Sequence, residues 1–167
     1  MRYQIDDYVV HPAHGVGRIV GLVMQRFTEP EARLYYQIAI QRNTTVWVPV
    51  DRDLTIGLRP STPKAELKHY REVLRSRPVS LILDNRQRHF NLADRLKVGL
   101  FQDLCEVVRD LNARRWLKPL NELDSRTFRT THDALCAEWA VAAEVSVPEA
   151  AKEVNALLFE AQQAYQK

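Results

Sequence analysis

The stretch Asp7-Tyr8-Val9-Val10-His11-Pro12-Ala13-His14-Gly15-Val16-Gly17-Arg18-Ile19 decides how the first third of this 167-residue chain folds. It joins a short apolar run, a turn and a second apolar run. Pro12 fixes its own φ near a value that a turn uses, while Gly15 and Gly17 allow a positive φ or a close backbone approach that residues with side chains resist. Further strand-like runs follow at Val16 to Met24, Leu34 to Ile40 and Thr44 to Val50, separated by Gly, Pro, Asn and charged residues. Four or five short strands in sixty residues fit a small twisted barrel. In the third run Leu34, Tyr36, Ile38 and Ile40 share one face and Arg33, Tyr35 and Gln37 the other, which is the alternation of a half-buried strand.

The fourth run carries the more informative pattern. Val46, Val48 and Val50 alternate with Thr45, Trp47 and Pro49, which leaves a large aromatic on the face away from the valines. Pro49 cannot donate to a ladder, so the strand belongs at a sheet edge, where unpaired backbone groups can accept a strand from another chain. Trp47 is then either covered by the rest of this chain or exposed for a partner.

After Gly57-Leu58-Arg59-Pro60-Ser61-Thr62-Pro63 the apolar period changes from two to 3.6. Thr62 with Pro63 reads as an N-cap followed by proline in the first helical position. Leu67, Tyr70 and Leu74 mark a helix that ends before Pro78, a second covers Asn85 to about Val98 and stops at Gly99, and a third runs from about Leu100 to Arg115. Phe128, Leu135, Trp139 and Ala142 mark a fourth helix through about Glu144. Ser146-Val147-Pro148-Glu149 forms a capping box that opens the last one. The expected fold is α+β: an SH3- or Tudor-like antiparallel barrel over residues 1–60, then an all-α bundle of about five helices over residues 61–167.

At 19.4 kDa and 46% hydrophobic residues the chain can bury a core in either half. No run approaches the roughly 18 apolar residues of a membrane span, and Met1 to Asp7 is too acidic and broken for a signal peptide. A cytoplasmic protein is expected. Cys105 and Cys136 lie on apolar helix faces with no Cys-x-x-Cys pair or clustered His, so buried, reduced thiols are expected rather than zinc or a disulfide. His11 and His14 lack a carboxylate or thiol at a companion spacing, and no phosphate loop, dinucleotide fingerprint or nucleophile elbow occurs. Neither an enzyme nor a cofactor or metal site is expected.

Charge is unevenly spread around a net of +3. Residues 1–60 hold seven Lys/Arg against six Asp/Glu, residues 61–100 nine against four, and residues 101–167 eight against eleven. The basic middle is either a phosphate-facing surface or a solvated helix face. The acidic side chains of the tail, Asp133, Glu138, Glu144, Glu149, Glu153 and Glu160, either solvate the bundle or keep DNA from all but one of its faces.

Taken in order and spacing, Val9-Val10-His11-Pro12-Ala13-His14-Gly15-Val16-Gly17, the pair of strands ending at Val48-Pro49-Val50, Ile56-Gly57-Leu58-Arg59, and Cys105-Glu106-Val107-Val108-Arg109-Asp110-Leu111 resemble the CarD family of bacterial transcription regulators over nearly the whole chain. The family's N-terminal module also occurs in the transcription-repair coupling factor, but no helicase segment follows it in this sequence. The resemblance implies a barrel that docks on the RNA polymerase β subunit, partly by aligning strands, and a helical domain that reaches the upstream edge of the melted promoter. Contacts to DNA would fall on backbone and minor groove, tolerant of sequence and steeply salt-dependent.

By the same resemblance the polymerase-facing residues are Gln25, Arg26, Val46, Trp47 and Pro49. The DNA-facing ones are Asn85, Arg86, Arg88 and His89, with Arg95 and Lys97 further along the same helix. Two departures stand out. Many relatives carry a basic residue where this chain has Trp47, which can fill a pocket or stack on a guanidinium but cannot pair with a carboxylate. The family usually has a tryptophan, wedged into the upstream fork, where this chain has Asn85.

A polar amide can bond a base edge but cannot wedge by stacking. The resulting expectation is a monomeric, nucleoid-associated regulator that binds polymerase and promoter DNA and stabilises the open complex, more weakly than its relatives or at other promoters. Two alternatives stay open: a paralogue that docks on polymerase without stabilising promoters, and a polymerase-independent nucleic-acid-binding protein that uses the barrel itself.

Overall fold

The computed structural model describes residues 1–41 and 43–166. The chain divides into two compact units, Met1–Ser61 and Thr62 onward.

The first unit is one antiparallel sheet of five strands, β1 (Tyr8–His11), β2 (Gly15–Gln25), β3 (Arg33–Ile40), β4 (Thr44–Pro49) and β5 (Arg59–Pro60), in the order β4-β3-β2-β1-β5. Between β1 and β2 the turn Pro12-Ala13-His14 ends at Gly15 with φ +81°, a left-handed position where glycine avoids the strain of a side chain. Gly17 serves a different need. A Cβ there would meet Ile40 Cδ1 at 2.6 Å and the Ala39 carbonyl oxygen at 2.8 Å, so only glycine lets β2 lie this close to β3. The register of that pair slips between Ile19 and Gly21, a bulge that bends a strand and strengthens its twist.

Tyr36, Ile38, Ile19, Val9 and Val48 fill the core of this unit, each at most 1% exposed. Tyr3 closes it from the N-terminal side, edge-on to Tyr36 at 5.6 Å, and its hydroxyl donates to the Leu58 carbonyl at 3.2 Å. A short helix, α1 (Asp53–Ile56), ends at Gly57 with φ +94° and leads into β5. The α+β class is as expected from the sequence, and the strand pattern is Tudor-like. The sheet is not a closed barrel, because no ladder joins β4 to β5 among the described residues.

The second unit contains α2 (Leu67–Arg75), α3 (Asn85–Leu96), α4 (Phe101–Arg114), α5 (Glu122–Ala143) and α6 (Val147–Tyr165). Trp139, Leu135, Cys105, Val108, Leu74 and Val154 are wholly buried in its main core, and Tyr70 meets Phe101 edge-on at 4.7 Å. α6 starts as its sequence requires: the Ser146 hydroxyl accepts from the Glu149 amide at 3.2 Å and donates to its carboxylate at 3.0 Å.

The start of α2 departs from expectation. Thr62 does not cap it; Lys64–Glu66 form a 3₁₀ turn instead, and Thr62 donates through its amide at 3.0 Å and its hydroxyl at 2.6 Å to Glu138 Oε2. Glu138, 1% exposed, is therefore an anchor for the start of this unit rather than a solvating charge. Glu153 likewise bonds inward, to Arg71 and to the Trp139 indole.

Candidate functional site

Two surfaces collect the residues singled out in the sequence. In the first unit β4 is an edge strand, as Pro49 required. Its register on β3 pairs Trp47 with Gln37 and Pro49 with Tyr35, so Trp47, Pro49, Tyr35 and Gln37 share the face opposite the core. Trp47 is 42% exposed, and what partly covers it is Phe27, just past the end of β2. The Phe27 ring lies 5.8 Å from that of Trp47 and meets Tyr35 edge-on at 4.9 Å.

Phe27 is itself 52% exposed, and the nearby Met24 is 60% exposed. The edge strand thus carries an aromatic cluster open to solvent, flanked by Gln25 and Arg26, both exposed at the end of β2. Val46, on the opposite face, is half-buried against the core and has only its backbone at the edge. No periodicity pointed to Phe27, because it follows the strand rather than belonging to it.

The second surface lies on α3. At 100° per residue Arg86, Phe90, Ala93 and Lys97 fall on one stripe, and all four are exposed. Arg86 lies over the Phe90 ring at 5.8 Å, so a cation and an aromatic are presented together. His89 is half-buried at the margin.

Arg88 and Arg95 are turned the other way, toward the fold. Arg95 is half-buried, 3.5 Å from Glu106 and 3.8 Å from Asp110 on α4. The expectation that Arg88 offers its charge to phosphates does not survive its position: it is 1% exposed, and every N–H of its guanidinium is taken. Nε and Nη2 donate to Asp124 Oδ2 at 3.0 and 2.7 Å, Nη2 also to Asn85 Oδ1 at 2.7 Å, and Nη1 to the Ile82 and Leu83 carbonyls at 2.9 and 3.0 Å. A signal for this was present. Arg88 is spaced four and eight residues from Leu92 and Leu96, on the apolar stripe of the helix.

The Arg88 network also fixes Asn85. Its amide oxygen faces the guanidinium, and Asp84 caps α3 by accepting from the Gln87 amide at 2.8 Å. The loop before α3 is held from below as well, because Asp110 Oδ1 accepts from the Val79 amide at 3.0 Å while Arg109 bonds both Asp110 and Ser76. Arg109 and Asp110 of the Cys105–Leu111 motif are thus buried supports for this loop.

Among the described residues no group of His, Cys, Asp and Glu side chains could hold a metal ion, and no helix is long and apolar enough to cross a membrane. Comparison with known proteins accounts for both units. Residues 3–60 match the family model described as CarD-like/TRCF RID domain, and residues 70–155 match CarD, C-terminal domain. The chain is also 32% identical over 140 residues to the Bacillus subtilis (strain 168) protein named "Putative transcription factor YdeB", a match covering 83% of this chain and 91% of that protein.

Proposed function

Because the chain belongs to the CarD-like transcription factor family, and so is a transcription regulator, we propose that it binds the RNA polymerase β subunit through the β4 edge and brings the outer stripe of α3 to upstream promoter DNA. The observation that carries this reading is the pairing of functions on separate units. An edge strand with an exposed aromatic cluster suits strand addition to a protein, and Arg86, Phe90 and Lys97 suit a phosphate backbone. The polymerase anchor supplies location, so the few exposed cations on α3 need only weak affinity of their own. The outcome is a longer-lived open complex at promoters whose bubble tends to collapse.

Recovery of RNA polymerase by the wild-type protein and by Trp47→Ala tests the docking half. Strong recovery by wild type and at least a tenfold loss in the variant, on the order expected for one central aromatic anchor, support the reading. Equal recovery moves the docking surface off β4, and no recovery by wild type at low salt removes polymerase from the function.

One observation favours a second reading. Asn85 is a polar side chain whose oxygen is already engaged by Arg88. On this reading the protein docks on polymerase without prolonging the open complex. The lifetime of promoter complexes with and without the protein separates the two, and Asn85→Trp lengthens it only if position 85 sits at the fork.

A further inference from the structure

Asn85 shows one end of its carboxamide to solvent and turns the other inward. Arg88, 1% exposed and paired with Asp124 at 2.7 Å, donates from Nη2 to Asn85 Oδ1 at 2.7 Å. A guanidinium only donates, so the amide oxygen must face it; turned over, the amide would set donor against donor at that distance. Asn85 itself is exposed, and its Nδ2 has no partner among the described residues. The first residue of α3 therefore offers a donor in a fixed sense, with its accepting oxygen held by Arg88.

The neighbours decide what that donor meets. Arg86 and Lys97, on the exposed stripe beside it, are the cations suited to phosphates. Asp84, exposed just before it, carries a charge that a phosphate oxygen avoids and an uncharged base edge tolerates. In the minor groove an A·T pair shows only acceptors, adenine N3 and thymine O2, whereas a G·C pair adds the guanine 2-amino donor. A donor that cannot turn over meets the first with a hydrogen bond and the second with an opposed donor. An asparagine free to rotate would serve either pair.

Resting on the reading that α3 faces upstream DNA, we propose that Asn85 makes the protein selective for an A·T pair at the upstream edge of the melted region, reading the minor-groove acceptors through Nδ2. Arg88 is a positioning residue for this contact. It fixes which end of the amide faces out and does not touch DNA itself.

Promoters in which each base pair at that edge is in turn A·T, G·C, inosine·C or 2,6-diaminopurine·T test this, because inosine lacks only the 2-amino group of guanine and diaminopurine adds one to adenine. The readout is the lifetime of the polymerase–promoter complex with the protein over that without it, which cancels the different melting of the pairs. At one position the wild-type gain is expected to be about tenfold larger with A·T and inosine·C than with G·C and diaminopurine·T. Asn85→Asp, which still accepts from Arg88 but has no donor, and Asn85→Ala are expected to recover polymerase as wild type does and to give equal gains on all four pairs. Equal wild-type gains on all four, as a phosphate contact would give, overturn the proposal and leave the function standing, as does a preference that survives in either variant. A wild-type protein that recovers polymerase but does not lengthen the lifetime overturns the proposal and supports the second reading above. One that recovers no polymerase overturns the function and the proposal together.

Discussion

Arg88→Met separates a scaffold arginine from a phosphate contact. The substitution keeps an aliphatic stem and deletes the guanidinium. Asp124, with a side chain 4% exposed, is left with Arg114 Nε at 3.8 Å as its nearest cation, and the Ile82 and Leu83 carbonyls lose their donor. Removing one member of a buried pair costs about 3–5 kcal/mol, because the charge left behind is uncompensated. Arg114 keeps the figure at the low end, so about 3 kcal/mol is expected.

For a unit of roughly 100 residues that lowers the thermal midpoint by about 12–18 °C. Urea and thermal unfolding of the full chain, followed by far-UV circular dichroism and by the fluorescence of Trp116 and Trp139, measure it. The double variant Arg88→Met with Asp124→Leu removes the stranded carboxylate as well and should recover most of the loss. A single variant within about 0.5 kcal/mol of wild type would refute the burial argument, since that is the behaviour of a surface residue. A double variant no better than the single would refute the pairing.

The remaining predictions concern each surface and the core. Arg86→Ala and Lys97→Ala should each reduce the slope of log K against log salt by about 0.9 in duplex binding while leaving unfolding unchanged; Arg88→Lys, if it folds, should not alter that slope. Gly17→Ala should destabilise the sheet by about 1–3 kcal/mol, read from urea unfolding followed at Trp47, because Ile38, Ile40 and the Ala39 carbonyl occupy the space of its Cβ.

Burial, with Asp133 nearby, pushes the Cys136 thiol up to about 11, and burial carries Cys105 well above the ordinary range. Neither should react with a disulfide reagent at pH 8 until urea unfolds the chain, and prompt native labelling would contradict their packing. Burial, then the neighbouring His14, lowers the pKa of His11, whose Nδ1 accepts from the Ala13 amide at 3.0 Å. The fold prefers the neutral ring, so its contribution is complete above the unfolded value of about 6.5 and is lost as pH falls through that value toward the lower folded one. An NMR titration that puts His11 at or above 6.5 would contradict this.

Legibility followed the range of the interactions. The hairpin around Pro12 and Gly15, the edge position of β4 and the Ser146 start of α6 were readable because one residue's own backbone chemistry decides each of them. Thr62 was misread because Thr-Pro is a sound local cap signal, and its true partner, Glu138, lies 76 residues away. Arg88 was placed on the surface because charge usually lies there; its burial depends on Asp124 and on two carbonyls of the preceding loop, which no periodicity announces. Phe27 escaped for the same reason, since its contacts with Trp47 and Tyr35 form only after β2, β3 and β4 have paired. At the candidate sites, residue types and helix positions were legible, but the split of α3 into a load of inward arginines and an outward stripe was not.

Both borders of the sheet end in proline, Pro49 on β4 and Pro60 on β5. A guest ribbon laid along either margin therefore runs out of donors after a few residues, five at most on the Thr44–Val48 side. Such a margin limits any added strand to a few paired residues. It also denies copies of this chain a track on which to zip into fibres.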